Sequence, residues 1–449
     1  MPPEKSPDAL ASPARWRTRW RVRLGPVSLA VRLRHWLGVG ERAWTVLVLA
    51  VANQLPRAAA PRAQRAARPA TVSSGPPELH LYLDPRDALR PAAVRRALAA
   101  AWPTEPTALV VLVRYRRPPV LAARLDAEVR SWAASPELVR CLPPGGAPLF
   151  EVLDAALRLP DVPIRVVQVG SGARVQAPAQ VDSLPSTAWL IPHRGSARWL
   201  AECLARVGSQ LRRGRDEAFI GLDESPSEAV AGLRTALAAA HSGWWFGALR
   251  RPGVGPFVAR QRLADRTCAE WLLFQDSDDA PTPDRAVVLG AALQAGNLDA
   301  VGSHELRLDY VDQCVVARRF PLDASAALRV AMGHPAYLPT LLLRCESLAA
   351  VGGFSTYLRF GLDTQLLLRA SFSWRIGNVD AFLYVRRRWP GSLTTNPATA
   401  LGSPAREVHR LRWWHDFTRV LAGKLALADS SLAVQRGAEY EGNELEPLD

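Results

Sequence analysis

The chain has 449 residues, room for two or three ordinary domains and a sizeable core. Apolar residues make up 48% and charged residues 22%, both near globular averages, which excludes disorder throughout. The formal net charge is +14, from 56 Lys+Arg against 42 Asp+Glu; Lys5 and Lys424 are the only lysines, an Arg-for-Lys bias of the kind a GC-rich genome writes, so the basic balance is discounted as a functional signal.

The charge is uneven. Residues 1–75 hold 13 basic and three acidic residues (Glu4, Asp8, Glu41), a net of +10, which leaves about +4 for the rest, 14 − 10. This excludes a uniformly basic nucleic-acid binder and confines the excess to an N-terminal arm. Arg and Trp alternate from Arg15 to Arg23, and Val31 to Trp36 continues the mixture. Such a segment suits either a solvated arm or peripheral contact of residues 15–36 with an anionic membrane, Trp at the interface and Arg on phosphates. The longest apolar run near the start, Trp44 to Ala52, is too short for a span of roughly 20 residues. No signal peptide is visible, and the expected location is cytoplasmic, with the membrane contact at its inner face. Cys141, Cys203, Cys268, Cys314 and Cys345 lie far apart without a Cys-x-x-Cys pair. Buried thiols in a reducing compartment are expected rather than a disulfide framework or a zinc knuckle.

In chain order, residues 1–77 read as a basic, Arg/Pro/Ala-rich arm and linker. Residues 78–180 read as a small α/β unit: strand Glu78–Asp84, helix Pro91–Ala101, strand Ala108–Val113, helix Val120–Trp132, helix Phe150–Leu157 and strand Ile164–Val169, closing on Gly170-Ser171-Gly172. A second unit starts at Thr187, within a domain expected over 181–425. It predicts strand Thr187–Ile191, helix Ser196–Gln210 with Ser196 as N-cap, strand Glu217–Leu222, helix Glu228–Ala240, strand Gly243–Phe246, helix Phe257–Glu270 and strand Trp271–Gln275. Mixed strands follow over Ala300–Val316 and a further apolar run over Tyr337–Leu343. The acidic tail, 426–449, is expected to be solvated. Alternating strands and helices with acids at the carboxyl ends of strands predict a doubly wound, Rossmann-like sheet that binds its ligand at that edge.

Four features could carry chemistry. Asp276-Ser277-Asp278-Asp279 sets three carboxylates directly after an apolar strand, where their repulsion costs free energy unless a cation joins them. A magnesium or manganese ion fits, completed by phosphate oxygens and water; the alternative is an acidic turn capping the next helix near Pro281–Pro283. Asp223, at another strand end, either accepts from a nucleoside or forms an N-cap or Asx turn before Pro226. Asp363 opens a helix, as a base for an acceptor hydroxyl or as an N-cap. Tyr384 to Thr395 places Arg386, Arg387 and Arg388 before a Pro-Gly turn, either as a diphosphate clamp or as a solvated basic face.

Taken in order, these segments resemble the family 2 glycosyltransferases, which have the GT-A fold. The resemblance covers about residues 187–415. It is carried by Trp189-Leu190-Ile191-Pro192-His193-Arg194-Gly195, Asp223-Glu224-Ser225, Arg260 leading to Asp276-Ser277-Asp278-Asp279, Val351-Gly352-Gly353-Phe354, Gly361-Leu362-Asp363 and Pro390-Gly391-Ser392-Leu393-Thr394. It implies a GT-A mixed sheet and inverting transfer from a nucleotide diphospho-sugar, a UDP-sugar foremost, to a hydroxyl of a glycan or lipid-linked acceptor, in bacterial surface polysaccharide synthesis. By the same resemblance Asp363 is the base, and Asp276 and Asp278 hold Mn2+ or Mg2+. Pro192, Asp223, Arg260, Asp276, Arg387 and Arg388 bind the nucleotide-sugar, while Asp279, Gly353 and Ser392 support the site. The chain departs from the pattern at Glu224 and Ser225, at Leu362 (usually Glu) and at Trp389 (often His). A catalytically inactive GT-A scaffold and a nucleotidyltransferase are the alternatives; the latter lacks its Gly-rich basic loop after the first strand.

Overall fold

The computed structural model describes residues 79–80, 139–140, 150, 153–154, 157–158, 183–240, 243–330 and 333–448, all within the unit spanning residues 69–449. The arm and linker (1–77), and with them the proposed membrane contact of residues 15–36, lie outside the described residues. So does most of 78–180. There, Leu79–His80 (β1) pairs in parallel with Val139–Arg140 (β2). Residues 150, 153, 154 and 157, in the span expected as helix Phe150–Leu157, are helical.

A ten-stranded mixed sheet organises the rest. Its parallel half is β3 (Thr187–His193), β4 (Glu217–Leu222), β5 (Trp244–Leu249) and β6 (Trp271–Phe274), in spatial order β5-β4-β3-β6. Beyond β6 come β10 (Leu342–Arg344), β8 (Ala300–Asp309), β11 (Ile376–Arg388) and the two-residue β7 (Ala280–Pro281), with β9 (Cys314–Arg318) on β8. Strand β10 runs antiparallel to both β6 and β8, so β8 and its parallel partner β11 point the same way as β6. This is the GT-A mixed sheet that the resemblance implied.

The strands are apolar runs because both faces are covered. Side chains alternate between two cores: Ala188, Leu190, Phe219, Leu272 and Phe274 enter one, and Trp189, Ile191, Ile220, Trp271 and Leu273 the other. Helices α1 (Ala197–Gly208), α2 (Glu228–Ala240) and α4 (Arg285–Ala295) contribute to the second core. Helices α3 (Pro256–Arg266), α5 (Ala324–Val330), α6 (Cys345–Ala350), α7 (Leu362–Ala370) and α8 (Pro404–Leu421) contribute to the first. Among the described residues no helix is long and apolar enough to cross a membrane.

Strand β4 and helix α2 have the bounds expected of them, and Ser196 caps α1 by accepting from the Trp199 N–H. Several boundaries shift. Helix α3 stops at Arg266 rather than Glu270, because Thr267 is extended and opens the approach to β6. Over Tyr337–Leu343 a 3-10 turn, Leu338–Thr340, precedes β10. Two assignments are corrected. The tail from 426 is not simply solvated: Leu445–Pro447 (β12) adds an antiparallel edge strand to β5, and Ser431, Leu432 and Asn443 are buried. The expected burial of the thiols holds for Cys203 alone among the four described cysteines; Cys268 is exposed. Phe150, Leu153 and Leu157, assigned to the preceding unit, share a core with Leu306, Leu308, Phe382 and Val385 of the sheet.

The Val351-Gly352-Gly353-Phe354 segment is a backbone knot. Its carbonyls accept from Arg369 and Arg436, and the Phe354 N–H donates to Gln261 Oε1 at 2.6 Å. Burial lowers the Arg369 pKa to about 10. The knot sets Phe354 edge-on against Phe274, ring centroids 5.5 Å apart, at the last residue of the apolar strand that leads to the acids. Gly353 has φ +73°, and a Cβ there would lie 2.3 Å from Gln261 Oε1. Gly353→Ala should therefore cost about 1–3 kcal/mol in denaturant unfolding; a variant as stable as wild type would contradict this account of the knot.

Candidate active site

Strands β3, β4, β6 and β11 are parallel, so their carboxyl ends share one edge of the sheet. That edge collects His193, Asp223, the acidic turn 276–279 and Arg386–Arg388, as expected for a doubly wound sheet. Strand β7 pairs back onto β11 at Ala280↔Val385 and Pro281↔Tyr384, which clamps the acidic turn against β11. The turn does not cap a helix: α4 begins at Arg285 behind Asp284.

Each carboxylate of the turn has a distinct set of partners. Asp279 is buried and uses both oxygens, Oδ1 accepting the Arg387 backbone N–H at 2.7 Å and Oδ2 the Tyr384 hydroxyl at 2.8 Å. Asp276 Oδ1 accepts from the Arg260 guanidinium. Asp278 Oδ2 accepts the Trp389 indole N–H at 2.7 Å. The second oxygens of Asp276 and Asp278 receive no hydrogen bond from another described residue. Burial, then mutual repulsion, raises the pKa of Asp278 and, further, of Asp279. One oxygen from each of the three acids lies within 4.8 Å of the others. Two half-buried carboxylates with free oxygens are the hard donors that magnesium or manganese takes, with room for phosphate and water ligands. The residues present fit such an ion at Asp276 and Asp278, with Asp279 as the inner brace.

The arginines hold this turn. Arg387, buried, donates to the Asp278 carbonyl at 2.7 Å and to Glu202 of α1, whose other oxygen takes Arg198. Strand alternation turns Arg388 the other way, onto both oxygens of Asp309 at 2.8 and 2.9 Å. Both guanidinium groups expected on the diphosphate are thus engaged inside the protein. Arg386 lies between Glu305 (3.7 Å) and the Tyr337 ring. Two supports escape sequence reasoning because their partners are backbone atoms or distant residues. Arg285, fully buried, donates to Gln275 Oε1 and to the carbonyls of Phe274 and Pro339, at 2.5–2.6 Å, with Trp189 and Tyr384 rings beside it. Its pKa is lowered to about 10 by burial. Tyr384 bridges Asp279 and the Asp276 N–H.

Asp223 neither caps a helix nor forms a turn with Pro226. Its carboxylate accepts the backbone N–H groups of Gly253, Val254 and Gly255 at 2.7–2.9 Å, and so fixes the loop that enters α3, the helix bearing Arg260. Pro192 is buried beside it in β3, paired with Gly221. Asp363 lies in the first turn of α7, whose N-cap is Gly361 in the left-handed region (φ +75°). Its half-buried carboxylate accepts no hydrogen bond from the described residues. It favours the charged forms of His334 and Arg406, which burial opposes more strongly. Arg406 in turn is in electrostatic range of Arg386, which senses Asp279 and Asp276. Ser392 is internal to its turn, its hydroxyl 3.2 and 3.0 Å from those of Thr394 and Thr395, and Thr395 Oγ1 donates to the Trp389 carbonyl at 2.7 Å.

His193 joins the turn from β3, its Nδ1 2.9 Å from Ser277 Oγ. Burial lowers its pKa to about 4, from 6.5. It is neutral at pH 7, and protonation favours the unfolded chain. Its contribution is therefore complete above pH 6.5 and lost as the pH falls to 4, on the order of 3 kcal/mol. His193→Gln should flatten the stability profile over that window in denaturant melts; an unchanged slope would contradict the assignment.

Residues 188–363 match the family model for glycosyl transferase family 2. No curated protein matches the chain. Solved structures of TarS from S. aureus are similar to part of it. TarS 1–349 in complex with UDP-GlcNAc has 16% identity and a TM-score of 0.41, over 55% of this chain and 67% of that one. TarS 1–349 alone has 15% identity and a TM-score of 0.39, over 54% and 74%. For the longer TarS structure the values are 14% and 0.40, over 55% of this chain and 40% of that one. The acidic turn and Asp363 both lie within the segment, residues 188–363, that matches the glycosyl transferase family 2 model.

Proposed function

We propose that this domain transfers a sugar, with inversion, from a nucleotide diphospho-sugar to the hydroxyl of a glycan or lipid-linked acceptor. A UDP-sugar is the first donor to try, and bacterial surface polysaccharide synthesis the setting. The observation that carries the reading is the convergence of Asp276, Asp278 and Asp279, one oxygen of each within 4.8 Å of the others, with a second oxygen on Asp276 and on Asp278 that no other described residue bonds.

In this reading Asp363 takes the proton of the acceptor hydroxyl as that oxygen attacks the anomeric carbon from the face opposite the diphosphate. The bond from that carbon to the diphosphate oxygen breaks, and its electron pair leaves with the nucleoside diphosphate. A magnesium or manganese ion held by Asp276 and Asp278 would neutralise charge on that leaving group. Arg260 aims the Asp276 carboxylate, while Arg387 fixes the Asp278 carbonyl and Arg388 fixes Asp309, so these two arginines act on the donor by holding the turn. Asp223 acts on the nucleotide through the 253–255 loop. One base and one stabilised leaving group suffice for single-step inversion.

Asp363→Asn removes the base and leaves the donor side intact. We expect nucleoside diphosphate binding, followed by thermal shift, to stay within twofold (roughly, since no donor contact changes), while transfer falls by about a hundredfold or more. Wild-type transfer rates in this variant, or loss of nucleotide binding, would overturn the role given to Asp363.

A further inference from the structure

The acidic turn has one partner that the sequence pattern does not explain. Trp389 follows β11 and donates its indole N–H to Asp278 Oδ2 at 2.7 Å. An indole N–H is a donor only and cannot ligate a cation. What it can do is hold one oxygen of a carboxylate so that the other faces a fixed direction.

The ring is itself held on two sides. Its face tilts against Trp199, centroids 5.3 Å apart, and Trp199 sits in the first turn of α1 with its N–H on the Ser196 cap. Its carbonyl accepts from Thr395 Oγ1 at 2.7 Å, and the following turn is closed by Ser392 with Thr394 and Thr395. Arg387, two residues earlier, holds the Asp278 carbonyl. Asp278 is thus gripped at its backbone by Arg387 and at its side chain by Trp389, both from the end of β11. Asp279 has both oxygens committed, and Asp276 one. The orientation of the Asp278 carboxylate therefore decides whether two free oxygens converge.

We propose that Trp389 is a positioning residue of the donor site: its indole N–H fixes Asp278 so that the free oxygen of that carboxylate converges with that of Asp276 on a divalent cation. This rests on the transfer reading above. Outer-shell partners of this kind commonly govern metal affinity by about 10- to 100-fold.

The test is Mn2+ binding to the full chain by EPR, with and without UDP, for wild type, Trp389→Phe and Trp389→His. Phe keeps the ring contact with Trp199 and loses the donor; His restores an N–H donor. Trp389→Phe should weaken Mn2+ binding by about tenfold or more, with its melting temperature near that of wild type. Trp389→His should recover most of the loss without the 14N coupling to Mn2+ that an imidazole ligand would show in pulsed EPR, a combination that neither a packing role nor direct ligation would produce. Wild-type Mn2+ affinity in Trp389→Phe would overturn the proposal. Should Trp389→Phe fail to fold, the His variant decides: a folded Trp389→His that binds Mn2+ as wild type does, with no imidazole 14N coupling to the ion, supports the proposal, and one that binds weakly or only through such a coupling overturns it. A wild-type chain that takes up neither Mn2+ nor UDP would instead count against the transfer reading itself.

Discussion

Three carboxylates at the end of one apolar strand are the constraint on which this domain turns. Asp276, Asp278 and Asp279 repel one another, and burial raises the pKa of the last two. The fold answers with four fixed donors: Arg260 from α3, Tyr384 and the Arg387 N–H from β11, and the Trp389 indole beyond it. Arg285 underpins the strand end from α4 without a carboxylate of its own, bound to a side-chain amide oxygen and two backbone carbonyls. A charged turn so completely braced is pre-organised: its geometry need not change when a cation or a diphosphate arrives.

The braces reach well beyond the turn. Arg387 ties it to Glu202 in α1, and Asp223 ties β4 to the loop that starts α3. The Gly352-Gly353 knot presses Phe354 onto Phe274, the residue from which the turn departs. The same knot receives Arg369 from α7, the helix that carries Asp363, so the candidate base and the acidic turn share one rigid support. The tail completes it: Leu432 and Ser431 offer carbonyls to Arg369 and Gln365.

Much of this was legible in the sequence. Continuous apolar runs on strands covered on both faces make β3, β4 and β6 readable, and the acids sit where those strands end. The family resemblance pointed to Asp276, Asp278 and Asp363; the structure sets the first two in the acidic turn after β6 and the third in the first turn of α7. What the sequence did not disclose is which guanidinium meets which acid. Arg386, Arg387 and Arg388 look alike in a row, yet strand alternation sends the middle one to Glu202 and its neighbours to Glu305 and Asp309. Asp223 reads as a free strand-end acid until the loop at 253–255, some thirty residues on, closes over it. Trp389 reads as a departure from a pattern, and only the fold shows it donating to Asp278. The tail's acidity masked Leu445 and Leu432, whose burial depends on contacts with β5 and α7.

The central claim is that the acidic turn binds a nucleoside diphosphate together with a divalent cation. Calorimetric titration of UDP, GDP, CDP and dTDP into the full chain, with and without manganese, on wild type and Asp278→Ala, tests it most directly. The account predicts manganese-dependent binding of one nucleotide by wild type and none by the variant. Binding that ignores manganese, or survives Asp278→Ala unchanged, would contradict it.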